Sequence, residues 1–155
     1  MVKGERCSMS LEENKAIIRK GIEAANKRNL AMLDEVIAPD FIDNFLQVRS
    51  LESFKEFLTE LLKGFPDFHI TIEDIVAEGD KVCVYVTETM THTGEFEGIA
   101  PTGKKITYPS IWIIRIVDGK MVQREGVGND LDYYKQLGVI EYTKKGKKLF
   151  PEDAK

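Results

Sequence analysis

Carboxylates are the best supplied reactive groups in this sequence. Asp and Glu number 26, whereas His and Cys number two each. His69 and His92 stand 23 residues apart with no H-x-H or H-E-x-x-H spacing, so no metal site is expected. No G-x-S-x-G, S-x-x-K, P-loop or G-x-G-x-x-G motif occurs. Proton transfer by a carboxylate is the chemistry that remains. Glu125 is the first candidate. Read as strand, it shares a face with Met121 and Val127, and a lone carboxylate on an apolar wall has a raised pKa. The alternative is that it pairs with Arg115 or Arg124, or stands in solvent at a cavity mouth. His92, at a strand end beside a glycine-rich loop, either lines a cavity rim or holds the Thr91-His92-Thr93-Gly94 turn together. His69 reads as a surface residue. Tyr85, Tyr108 and Trp112 are the large aromatics of the sheet. They suit a pocket for a flat ligand, with plain core or interface as the alternative, Trp112 above all. Cys83, on a strand, reads as buried and inert.

The 155 residues, 43% hydrophobic and 31% charged, make one soluble domain. A net charge of −4 argues against nucleic acid as the main partner. No apolar run approaches the roughly 18 residues of a membrane span. Residues 1–10 are polar and lack the apolar core of a secretory signal, so a cytoplasmic protein is expected. Cys7 and Cys83 do not make a disulfide framework. Residues 141–155 carry five lysines against Glu141, Glu152 and Asp153, a net of +2 that leaves −6 on the rest. This basic tail is expected to be a solvated, partly mobile end, with the domain itself at 11–140.

The elements that must position these groups follow from periodicity. Ser10 and Glu13 form a capping box before a helix over about 11–28. A short helix over Leu30 to Ile37 ends before Pro39. Residues 40–49 read as irregular or as a short strand. Ser50 caps a third helix, with Phe54, Phe57, Leu58, Leu61 and Leu62 on one stripe, closed by Gly64 and Pro66. Strands follow at 68–78, 82–92, 105–117 and 120–128. Asp118-Gly119 is a hairpin turn, and a helix over about 131–137 stops at Gly138. Helices followed by an antiparallel meander make an α+β fold. In 111–117, Ile111, Ile113 and Val117 point one way, and Trp112, Ile114 and Ile116 the other. Both faces are apolar, so both should be covered. The helices cover one, and a second copy of the chain, as a two-fold homodimer, is expected on the outer face.

Several segments resemble one family. Phe65-Pro66-Asp67, the run from Ile72 to Val82, and Thr91-His92-Thr93-Gly94-Glu95-Phe96 through Gly98-Ile99 to Pro101-Thr102-Gly103-Lys104 are similar to the SnoaL-like polyketide cyclases, or predicted ester cyclases. Arg115, Asp118-Gly119-Lys120 and Gln136-Leu137-Gly138 match that family's closing pattern, and the likeness spans about 12–140. The resemblance implies a nuclear transport factor 2-like cone, with helices on a curved antiparallel sheet, an internal cavity and a dimer across the sheet. It implies an intramolecular aldol closure without metal or bound cofactor, run by a carboxylate in a W-x-x-x-D segment near the end of the last strand. Counted back from Gln136, the family's Trp falls on Glu125 and its Asp on Asn129, while a frequent family His falls on Asn44. Asn129 cannot act as a base. It hydrogen-bonds a ligand carbonyl or caps the helix near 131. Asp130, next to it, points the other way unless the strand ends or bulges there. Two readings stay open. One is a small, largely apolar carbonyl ligand undergoing aldol-, isomerase- or hydrolase-type proton transfer at Glu125, Asn129 and His92, within a pocket of Asn44, Tyr85, Tyr108 and Trp112. The other is a binding or dimerisation module that has lost the acid.

Overall fold

The first helix, α1 (Leu11–Asn26), starts at a reciprocal cap. The Ser10 hydroxyl accepts the Glu13 N–H at 3.2 Å and the Glu13 carboxylate accepts the Ser10 N–H at 2.7 Å. This computed structural model describes residues 10–149. Residues 1–9 of the polar N-terminal segment, with Cys7, and residues 150–155 of the tail lie outside the described residues. A single 3-10 turn (Leu30–Met32) and a short α2 (Leu33–Val36) lead into β1 (Ile37–Asp43). Helix α3 (Leu51–Gly64) is capped by Ser50 and Ser53, each hydroxyl accepting the other's backbone N–H at 3.1 Å. Then come β2 (His69–Glu78), β3 (Lys81–Thr91), β4 (Lys105–Val117), β5 (Lys120–Gly128) and α4 (Asp130–Leu137). Part of the tail, expected to be a solvated end, is a further helix, α5 (Lys144–Leu149), with no buried residue.

The sheet order is β1-β5-β4-β3-β2. The four later strands form the expected antiparallel meander. The sheet is nevertheless mixed, because β1 pairs with β5 in parallel. That strand was only a short-strand alternative in the sequence. Pro39 cannot donate to a ladder, and β1 takes the edge position where this is tolerated. Between β4 and β5, Asp118 and Gly119 both have positive φ (49° and 76°), the geometry of the hairpin turn that Asp-Gly favours.

Alternation along β4 is strict. Ile106, Tyr108, Ser110, Trp112, Ile114 and Ile116 are buried against the helices. Ile111 (44% exposed) and Ile113 (47%) stand on the opposite face beside Tyr85 and Val127. Trp112 is therefore on the helix-covered face. The outer face carries exposed apolar residues, as the two-sided strand led us to expect. Cys83 pairs with Ile113 across β3 and β4 and is only half-buried, in contrast to the expected burial.

One irregularity reorients the last strand. Arg115 pairs with Gln123 but Ile116 pairs with Met121, so Val122 is an extra residue in β5. A bulge reverses the in-out alternation beyond it. Met121 and Arg124 are both buried, three residues apart, and Glu125 lies opposite outward-facing Ile113.

Candidate functional site

Between the concave face of the sheet and helices α1, α3 and α4 lies a cavity of about 570 Å³, within the range of small-molecule sites. Ile22, Phe54, Phe68, Ile70, Met90 and Trp112 supply much of its apolar wall. Its width depends on two close approaches. A Cβ on Gly128 would lie 1.8 Å from the Tyr108 hydroxyl, and one on Gly126 would meet Phe45 and Trp112 at 3.0 Å. The missing side chains on β5 leave those three rings their places.

Polar groups enter this wall at three places. At the mouth, the Tyr108 hydroxyl donates to Asp130 Oδ1 at 2.5 Å, and the Tyr134 hydroxyl donates to Glu97 Oε2 at 3.2 Å. Tyr133 packs edge-on against Tyr108, with centroids 5.7 Å apart. Burial, and next the bond to Asp130, push the Tyr108 phenol well above its ordinary range. On the wall, Arg124 Nε donates to Asp43 Oδ2 at 2.7 Å and Nη2 donates to the same oxygen. The Arg124 guanidinium lies 4.7 Å from the Trp112 ring centroid. Deeper, Glu88 on β3 faces the cavity opposite Tyr108 on β4. Burial pushes its carboxyl up to about 7, while the Arg124 charge pulls it down.

Four of the residues expected at the site are elsewhere. Glu125 is exposed on the outer side of the bulged strand and accepts Asn44 Nδ2 at 2.5 Å and Gln123 Nε2 at 2.8 Å. The bond from Asn44, then that from Gln123, hold its carboxyl below the usual range, the reverse of the raised pKa expected. His92 is fully buried away from the cavity, stacked on Phe65 at 5.0 Å. Its Nδ1 meets Thr102 Oγ1 at 3.1 Å and accepts the Thr102 N–H at 3.3 Å, so it ties the 92–104 loop together, and burial lowers its pKa. Tyr85 projects outward at 42% exposure, because the alternation of β3 turns Val84 and Val86 inward. Asn129 accepts the Asp132 N–H at 3.2 Å and caps α4, outside the cavity lining. Asn44, Tyr108 and Trp112 do line the cavity.

Asp130, the residue after Asn129, brings a carboxylate to the cavity lining. Strand β5 ends at Gly128 and α4 begins at Asp130, so alternation no longer sends the two residues to opposite sides. Glu88 went unread, although Val82, Val84, Val86 and Met90 share its phase. One charge in step with four apolar residues was the available signal. Arg124 appeared only as a partner for Glu125, and Asp43 not at all.

A family profile described as SnoaL-like polyketide cyclase matches residues 15–137. The chain belongs to that family. This SnoaL-like chain is 26% identical over 134 residues to the aklanonic acid methyl ester cyclase AcmA of Streptomyces galilaeus, covering 83% of this chain and 92% of the relative. It is 28% identical over 129 residues to the corresponding cyclase DauD of Streptomyces sp. strain C5, covering 79% and 80%. Among solved structures it resembles AclR of Streptomyces galilaeus, with a TM-score of 0.78, 29% identity and 94% of each chain covered. The expected nuclear transport factor 2-like architecture is thus the observed one. No helix among the described residues is long and apolar enough to cross a membrane.

Proposed function

We propose that this SnoaL-like protein closes a ring in a small, largely apolar carbonyl compound by proton transfer inside the cavity. The observation that carries this reading is Asp130, held by the Tyr108 hydroxyl at 2.5 Å on the cavity edge. Asp130 takes the proton from a carbon flanked by carbonyls. Tyr108 fixes the carboxylate's direction, and the apolar wall keeps water from competing for the enolate. The cyclase names of the two curated relatives support a ring-forming substrate of the polyketide type.

Asp130→Asn is expected to lower turnover of a panel of poly-β-ketone esters by about 100-fold or more. Glu125→Gln, on the outer face, is expected to stay near wild type. Retained turnover in Asp130→Asn sinks the assignment. A second reading rests on Asn129, which stands where the resemblance places the acid. If the wild type binds the panel and turns none over, the protein is a binder.

The outer sheet face supports a homodimer, since Tyr85, Ile111, Ile113 and Val127 are exposed there together. Sedimentation should show a dimer that Ile113→Glu dissociates. A clean monomer at micromolar concentration excludes it.

A further inference from the structure

The deepest carboxylate of the cavity has no use in the steps above. Glu88 is 8% exposed, in phase with inward-turned Val84, Val86 and Met90. Among the described residues its carboxyl has no hydrogen bond and no ion pair. Its side chain lines the cavity, and its oxygens are not among the shut-in, unpartnered side-chain atoms, which are Asn14 Oδ1, His92 Nε2, Ser110 Oγ and Trp112 Nε1. A buried carboxyl without a protein partner is either a cost to the fold or a group left for a ligand.

Its surroundings favour the protonated form. Opposite it on β2 is Ile70, and on β4 Tyr108, whose proton is directed at Asp130. From β5 comes Arg124, already bound by Asp43, and from α4 comes Tyr133. No lysine or histidine among the described residues lines the cavity. Burial places the titration near neutrality, so carboxyl and carboxylate interconvert there.

We infer that Glu88, in its protonated form, receives a ligand carbonyl oxygen deep in the cavity and hands that oxygen its proton during ring closure. The inference rests on the ring-closing reading for its second half only. The step balances without oxidant or reductant. Asp130 takes the proton of the carbon acid, and the electron pair of that C–H bond forms the new C–C bond. The π pair of the acceptor carbonyl moves to oxygen, which takes the Glu88 proton. Asp130 ends protonated and Glu88 ionised, and one proton exchanged through water at the mouth restores both.

The probe for the test is 1-hydroxyanthraquinone, a flat neutral molecule with carbonyl acceptors. Its binding to the full chain is followed by visible absorbance at about pH 5.5 and about pH 8.5, on either side of the titration. The wild type is expected to bind about tenfold tighter at the lower pH. Glu88→Gln, whose amide donates at any pH, is expected to bind equally at both. Carboxyl-carbon NMR of glutamate-labelled wild type should show one group titrating near 7 that disappears in Glu88→Gln. PH dependence that persists in Glu88→Gln, or a Glu88 ionised down to about pH 5, overturns the inference. A wild type that binds with this pH dependence but cyclises nothing upholds Glu88 as carbonyl receptor and sinks the ring-closing reading instead. Failure of the probe to bind at either pH overturns the inference, while the ring-closing reading stands or falls on turnover of the poly-β-ketone esters.

Discussion

Asp43→Ala is expected to destabilise the protein by about 3–5 kcal/mol, the usual result of removing one half of a buried ion pair. Asp43 is fully buried and the Arg124 side chain is only 10% exposed. One Asp43 oxygen takes both Arg124 contacts. The other accepts the backbone N–H groups of Phe45 and Leu46, each at 3.0 Å. Alanine would leave a buried cation and two half-buried N–H groups without their partner. The same pair ties parallel edge strand β1 to β5, and Arg124 lies over Trp112, so the cavity wall should loosen as well. Urea unfolding of the variant beside wild type measures the loss. A change below about 1 kcal/mol would mean that the pair is not structural.

Glu88→Gln is expected to be more stable than wild type in alkali and to lose that advantage in acid. The folded-state carboxyl titrates at about 7, above its unfolded value of 4.5. A raised pKa favours folding while the proton is bound. That contribution is complete below about pH 4.5, declines through neutrality and is gone above about pH 7. The gap corresponds to about 3 kcal/mol between the two limits, and glutamine removes the dependence. Urea midpoints for both proteins from acid to alkali would show converging curves at low pH. Parallel curves would place the Glu88 carboxylate in a polar setting and contradict the geometry.

What the sequence alone determined is local or periodic. Ser10 with Glu13, and Ser50, mark helix starts because capping needs only residues within one turn. Asp118-Gly119 marks the hairpin because those residues tolerate positive φ. Alternation over 105–117 assigned Trp112 and Ile113 to opposite faces, and the motif run from Phe65 to Gly138 placed the chain in its family. Glu88 carried a signal of the same kind, its phase with Val84 and Val86, but the sequence alone attached no role to it. The tertiary structure decided what depends on distant partners or on one residue of slippage. Strand β1 is a strand because β5 offers its parallel edge. The extra residue at Val122 put Arg124 inside and Glu125 outside, because side chains alternate with a period of two and one insertion reverses every later one. The end of β5 at Gly128 turned Asn129 into a helix cap and Asp130 into the carboxylate at the cavity mouth. An abundance of carboxylates was therefore visible from composition. That Asp130 and not Glu125 faces the cavity was settled by a bulge and a strand end, neither of which local spacing reveals.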